Sequence, residues 1–291
     1  MKPAPFDYTR AASVEAAIAL LASAGGEARV LAGGQSLVPM MNLRIAQPRH
    51  LVDVNRIPGH DYVRREGDEL VIGFLARHEH IRSSPLVLEA CPLMAAAYDF
   101  VAHGPVRNRG TLCGNLCHAD PASEMPAVML ATHAEMEVQG PAGSRRVPAG
   151  EFFVGLFETA LRSDELLVSV RIPVAPKRQG WGFHEVSTRK GDFAFVCVAA
   201  LLQVESDRVV AASISAAGIG ARAVRLLGLE QSLAGQPPNE ATFRQAAEDA
   251  SATVPFHDDA LVPGEYRREL LSVLARRALL DAAARALSSD L

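Results

Sequence analysis

The stretch "RNRGTLCGNLCHADP", Arg107 to Pro121, sets two cysteines, a histidine and an aspartate among glycines. Two chemistries compete for it: side chains that grip a metal or act as nucleophiles, and a backbone that offers its N–H groups to an anion. The spacing argues against the first. Cys113 and Cys117 are not the Cys-x-x-Cys pair of zinc and iron–sulfur sites, and Cys91 and Cys197 have no cysteine near them in sequence. His118, Asp120 and Ser123 are too close together for a hydrolytic triad, and no Gly-x-Ser-x-Gly elbow is present. What remains is Thr111, Gly114 and Asn115 after Arg109-Gly110, a pattern in which backbone and small polar groups can approach a phosphate. The glycines and Pro121 argue against a regular element here, and the thiols read as buried or half-buried.

The same chemistry occurs upstream in "LAGGQSL", Leu31 to Leu37. Gly33-Gly34 follows a strand-like run, Gln35 and Ser36 add donors, and no fixed acid repels an anion. This is not the Gly-x-Gly-x-x-Gly dinucleotide fingerprint, and no acidic residue stands where that mode holds a ribose. Two separate phosphate-friendly loops suit a large, extended cofactor better than a small anion.

The rest of the chain narrows the class. At 291 residues it is long for one domain and can bury cores without disulfides. The net charge of -4, with basic residues dispersed, leaves no footprint for nucleic acid. No apolar run reaches the roughly 18 residues of a membrane span, and "MKPAPFDYTR" lacks a signal-peptide layout, so a cytoplasmic protein is expected. The amphipathic final segment, "YRRELLSVLARRALLDAAARAL", reads as a cover for a sheet or a partner contact.

Along the chain, "SVEAAIALLASA" predicts a helix capped by Ser13 and stopped by Gly25-Gly26. "ARVLA" and "HLVDV" predict strands, and "DYVRREGDELVIGF" a hairpin turning at Gly67. Helical pattern broken by Pro85 and Pro92 follows, with "RHEHIR" as a solvated helix start. Strands alternate with turns from Glu135 to Pro173, and "VAPKRQG", Val174 to Gly180, marks a boundary. Beyond it, three strands ("WGFHEVS", "FAFVCVAALLQVE", "RVVAASISAAGI") precede helices from about Arg222, Glu240 and Glu265 to the end.

Four blocks, "AGGQSLVPMMNLR", "RNRGTLCGNLCHADPASEMPAVMLA", "DELLVSVRIP" and "RKGDFAFVCVAA", together resemble the FAD-binding medium subunits of molybdenum hydroxylases, the group of carbon monoxide and xanthine dehydrogenases. The resemblance implies an α+β chain. It has a two-subdomain FAD-binding fold of the vanillyl-alcohol-oxidase type (residues 1–56 and 57–175) and a C-terminal α+β domain (residues 176–291) with a three-stranded sheet and helices. It implies FAD held by Ala32, Gly33, Gly34, Gln35, Ser36 and Leu37 and by Thr111, Leu112, Cys113, Gly114 and Asn115. His118 and Asp120 then belong to a flavin-side loop, Glu124 to a flavin contact, Leu166 and Leu167 to the nucleotide, and Arg189, Asp192 and Phe193 to the flavin ring.

No side chain is expected to be catalytic and no metal to bind this chain. A molybdenum cofactor and two [2Fe-2S] clusters belong to a large and a small partner subunit, the whole a dimer of heterotrimers. Cys113 stands where the family prefers glycine, and a positive φ there would cost on the order of 1 kcal/mol. An assembly subunit without FAD and a stand-alone flavin oxidase remain open at this stage.

Overall fold

The computed structural model describes residues 2–258 and 262–288. The chain begins with β1 (Asp7–Arg10), α1 (Val14–Ser23), β2 (Ala28–Leu31), α2 (Leu37–Asn42) and β3 (His50–Asp53). The strands form a parallel sheet in the order β1-β3-β2. Ser13 Oγ accepts from the Ala16 amide and starts α1 where expected. Val14, Ala17, Ile18 and Leu21 give α1 one buried face. Gly25 and Gly26, both at positive φ, turn the chain into β2.

Next come β4 (Val63–Glu66) and β5 (Glu69–Gly73), the expected hairpin with Gly67 at φ +60°. Six short helices follow: α3 (His78–Arg82), α4 (Pro85–Ala90), α5 (Pro92–Ala97), α6 (Gly104–Arg107), α7 (Leu112–His118) and α8 (Glu124–Ala131). Pro85 and Pro92 open helices rather than break them, since a first-turn proline lacks only an N–H that has no helical partner. Then β6 (Glu135–Gly140), β7 (Gly143–Pro148), α9 (Ala149–Phe152), β8 (Phe153–Gly155), β9 (Glu158–Thr159) and β10 (Leu166–Pro173) complete this part. Its antiparallel sheet runs β4-β5-β10-β6-β7, and Arg171 bridges Glu66, Glu69 and Glu137 on its surface.

The third part contains β11 (Gln179–Ser187), β12 (Ala194–Glu205), β13 (Arg208–Ala217), β14 (Val224–Arg225), α10 (Leu227–Leu233), α11 (Glu240–Thr253) and α12 (Gly264–Ser288). The sheet has four strands, not three, because β14 adds two residues to β13. The expected helix near Arg222 begins only at Leu227, since Arg222 donates to the Phe153 carbonyl at 2.7 Å and the chain then pairs as β14. The last helix was expected to reach Leu291; residues 289–291 lie outside the described residues.

The C-terminal sheet is covered on both faces. Val196, Val198, Ala200 and Leu202 face the helices, while Cys197, Ala199 and Leu201 face the earlier part of the chain. There they meet α8, whose eight residues are all buried. Ser213 and Ser215 donate to the Ala131 and Ala127 carbonyls at 2.6 Å, anchoring α8 to the sheet. On the other face α12 covers the sheet at close range. A Cβ built on Gly180 would lie 1.8 Å from the Ala282 carbonyl oxygen, and one on Gly182 2.1 Å from that of Ala278. The alanines of α12 and the glycines of β11 are therefore one packing device. Gly180→Ala is expected to cost on the order of 3 kcal/mol by overpacking, read as a lower urea midpoint; an unchanged midpoint would contradict the contact.

Candidate functional site

The glycine stretch that reads as irregular in sequence is largely helical. Thr111, extended at φ -116°, caps α7, and its Oγ1 accepts from the Gly114 amide at 3.0 Å. A Cβ on Gly114 would sit 2.8 Å from that oxygen. Cys113 lies inside α7, buried, and is not among the positive-φ residues, so the expected backbone cost is absent. Ala119, at φ +50°, ends the helix.

The two glycine loops touch. A Cβ on Gly33 would lie 2.5 Å from the Arg109 carbonyl oxygen and 2.6 Å from Gly110 Cα, so neither backbone leaves room for a side chain. Arg77 fixes this contact by donating to the Arg109 carbonyl and, at 2.7 Å, to Asn55 Oδ1. Asn55 Nδ2 in turn donates to the Ala32 carbonyl at 2.8 Å and to Asp53 Oδ1 at 2.7 Å. Asp53 also accepts from Tyr8. The His78 amide donates to the Gly110 carbonyl at 3.0 Å.

Around this junction opens a cleft of about 1320 Å³. Ala32, Gly33, Gly34, Gln35, Ser36 and Leu37 line it, as do Thr111, Cys113, Gly114, Asn115, His118, Glu124, Leu166, Leu167, Arg189, Asp192 and Phe193. Leu112 and Asp120 lie outside the lining. Leu112 is buried in the core. Asp120 Oδ1 accepts from the Ala122 amide at 2.9 Å, and its Oδ2 stands 3.9 Å from His118 Nε2. Among the described residues no three His, Cys, Asp or Glu side chains form a metal-binding group. Cys117, expected to be buried or half-buried, is exposed on the cleft wall, one turn beyond the buried Cys113 towards the end of α7.

Sequence reasoning misses several lining residues. His78, read as part of a solvated helix start, is buried against Gly110 with its Nδ1 3.2 Å from Tyr98 Oη. Burial, with Arg107 and Arg77 nearby, pushes its pKa down to about 4, so it is neutral at physiological pH. Gly191, at φ +89°, brings the Arg189–Phe193 turn against His103, which also lines the cleft. Arg162 and Glu165 close one side, and Arg145 holds Glu165 through two bonds of 2.9 and 2.7 Å. The one signal available in sequence was chain position: Glu165 lies inside the resembling block "DELLVSVRIP", and His103 a few residues before "RNRGTLCGNLCHADPASEMPAVMLA".

The donor set fits a dinucleotide. Backbone without side chains lies where the loops meet, the Thr111, Gln35 and Ser36 side chains add polar contacts, and Arg29, Arg49, Arg162 and Arg189 give the lining cationic groups for phosphate. Glu124 is 4% exposed, and burial raises its pKa to about 7. Asn115 and Ser123, bonded at 2.9 Å, sit beside it.

These features define an FAD-binding domain: residues 4–175 match the FAD binding domain in molybdopterin dehydrogenase, and residues 181–282 match the CO dehydrogenase flavoprotein C-terminal domain. The chain belongs to the FAD-binding medium subunits of the carbon monoxide and xanthine dehydrogenase family, and it is an oxidoreductase subunit. It is 39% identical to caffeine dehydrogenase subunit beta of Pseudomonas sp. (strain CBB1), covering 100% of this chain and 99% of that one. It is 36% identical to the carbon monoxide dehydrogenase medium chain of Hydrogenophaga pseudoflava, covering 98% and 99%. Among solved structures, carbon monoxide dehydrogenase from H. pseudoflava superposes with a TM-score of 0.95 over 98% of this chain and 99% of that one, at 36% identity. Quinoline 2-oxidoreductase from Pseudomonas putida 86 superposes with 0.94 over 99% and 100%, at 35% identity.

The buried carboxyl gives a pH signature. Between the ordinary 4.5 and about 7 the folded chain keeps a proton on Glu124 that the unfolded chain gives up. This group therefore favours folding less and less as pH rises through that window, and not further above it. Glu124→Gln is expected to gain about 3 kcal/mol on the unsubstituted chain between those limits, measured as unfolding midpoints against pH. Parallel profiles would contradict a protonated Glu124.

Proposed function

We propose that the chain is the electron-transfer subunit of a molybdenum-containing hydroxylase. Electrons taken from substrate at a molybdenum cofactor on a large subunit pass through two [2Fe-2S] clusters on a small subunit, reach FAD in this cleft and leave to an external acceptor. The observation that carries the reading is the contact between Gly33 and the Arg109-Gly110 backbone, which joins two phosphate-friendly loops into one cleft. Bound FAD supplies the redox chemistry, while the chain binds, orients and shields it.

In this reading the turn from Ala32 to Leu37 and the start of α7 cradle the pyrophosphate region. Leu166 and Leu167 supply apolar wall near the nucleotide, and Arg189, Asp192 and Phe193 lie towards the flavin ring. Leu112 and Asp120 support the loop from behind. The division into residues 1–56, 57–175 and 176–291 is supported by the three larger sheets among the described residues, the first two parts clasping FAD between them. The range of relatives supports placing substrate elsewhere. Subunits named for caffeine, carbon monoxide, nicotine and glyceraldehyde dehydrogenation or hydroxylation match along nearly the whole chain at 32–39% identity. A site for so varied a set of molecules on this chain would leave a clearer break in the match. A dimer of heterotrimers in the cytoplasm is the assembly proposed; no described helix is long and apolar enough to cross a membrane.

The purified chain is expected to be yellow and to release FAD on denaturation. Gly33→Ala is expected to weaken FAD binding on the order of a hundredfold, since the added methyl must displace the Arg109-Gly110 backbone, as read by flavin fluorescence titration. A colourless chain that cannot be reconstituted with FAD would overturn the reading in favour of an assembly subunit. Turnover of an organic substrate by the isolated chain would overturn it in favour of a stand-alone oxidase.

A further inference from the structure

Behind the inner wall of the cleft lies a second carboxyl group that the reading above does not use. Glu185 lies on β11 directly opposite Cys197 on β12, so both side chains share the sheet face packed against the earlier part of the chain. Two residues before it, Phe183 packs against Phe100 in a tilted ring pair with centroids 5.3 Å apart. Both Glu185 carboxyl oxygens are sealed from solvent without a hydrogen-bond partner. The Ser187 hydroxyl eases the charge a little, but it donates to the Arg189 carbonyl at 3.0 Å.

A buried carboxylate without a partner is costly, whereas a neutral acid is tolerated. The nearby groups offer no compensating charge. From α8 comes Glu124, itself buried; from β12, the buried Cys197 thiol, which feels both glutamates. Beyond Glu124 stand Asp120, the buried Tyr98 hydroxyl and Cys113, with neutral His78 on Tyr98. Past Ser187, Arg189 is ion-paired with Asp192 at 3.1 Å, and on the opposite sheet face His184 meets Asp281 of α12 at 3.3 Å.

We propose that Glu185 is held as a neutral carboxylic acid at the join between the FAD-binding part and the C-terminal sheet, so that it and Glu124 together carry no more than one carboxylate charge at neutral pH. Glu185 acts through Glu124 as a positioning residue; it does not line the cleft. Burial and the neighbouring Glu124 raise Glu185 to about 8, and burial raises Glu124 to about 7. Repulsion is mutual, so the two steps belong to the pair. The consequence, which rests on the cleft being the FAD site, is that the second charge appears as pH rises above neutrality, facing a ligand that is already anionic.

The test uses the full chain in two arms. Infrared absorption of the flavin-free chain, from about pH 6 to about pH 10, is expected to show a protonated carboxyl at neutral pH that is lost on the alkaline side. Glu185→Gln should remove that alkaline titration, and Glu185→Asp should retain it. In parallel, FAD affinity is expected to fall on the order of tenfold over the alkaline range in the unsubstituted chain and to stay flat in Glu185→Gln. Carboxyls fully ionised at neutral pH, or an unaltered titration in Glu185→Gln, would overturn the proposal. If Glu185→Gln does not fold, the infrared titration of the unsubstituted chain alone decides. A chain that shows the alkaline carboxyl titration but binds no FAD would leave the neutral Glu185 standing and remove the FAD reading instead.

Discussion

Everything about the cleft depends on a backbone contact that tolerates no side chain. Gly33, at the end of a parallel strand in the first sheet, rests on the Arg109-Gly110 peptide, which leads into a helix of the second part. Side chains hold it from behind, because Arg77 binds both the Arg109 carbonyl and the Asn55 that grips Ala32. Gly110 is pressed in turn by His78, whose burial keeps that ring uncharged. The order of cause runs from two glycines, through an arginine–asparagine clamp, to a cleft with two anion-friendly loops side by side.

The C-terminal part is joined to this frame by the same principle of small residues at close range. The fully buried α8 is pinned to the sheet by two serine hydroxyls, and α12 meets the other face through alanines against glycines. That packing explains the alanine-rich composition and fixes α8, whose first residue is the buried Glu124. The carboxyl at the back of the cleft is therefore set in place by the sheet behind it. This gives the C-terminal part a role at the site beyond the Arg189–Phe193 turn it contributes directly.

Much of this is legible in the sequence, where local chemistry and tertiary structure agree. Ser13 and Gly25-Gly26 bound α1, Gly67 turns the β4–β5 hairpin, and glycines mark both loops, paired in the first and separate in the second. The failures come where tertiary contacts outweigh local preference. Gly114 and Asn115 are poor helix formers, yet α7 forms because Thr111 caps it and the core buries Leu112, Cys113 and Leu116. His78 has a polar side chain in a charged run, so only the fold reveals that Tyr98 and Gly110 enclose it. β14 is two residues long and has no periodicity to read. Cys113 stands out in sequence because the family resemblance implies a glycine there, but an ordinary helical backbone accepts it.

The central claim is that the two loops act as one binding surface. Hydrogen–deuterium exchange of the full chain, with and without FAD, tests it directly. Joint protection of residues 32–37 and 110–115, saturating at the same FAD concentration, is the predicted result. Protection of one loop without the other, or of neither, would contradict it.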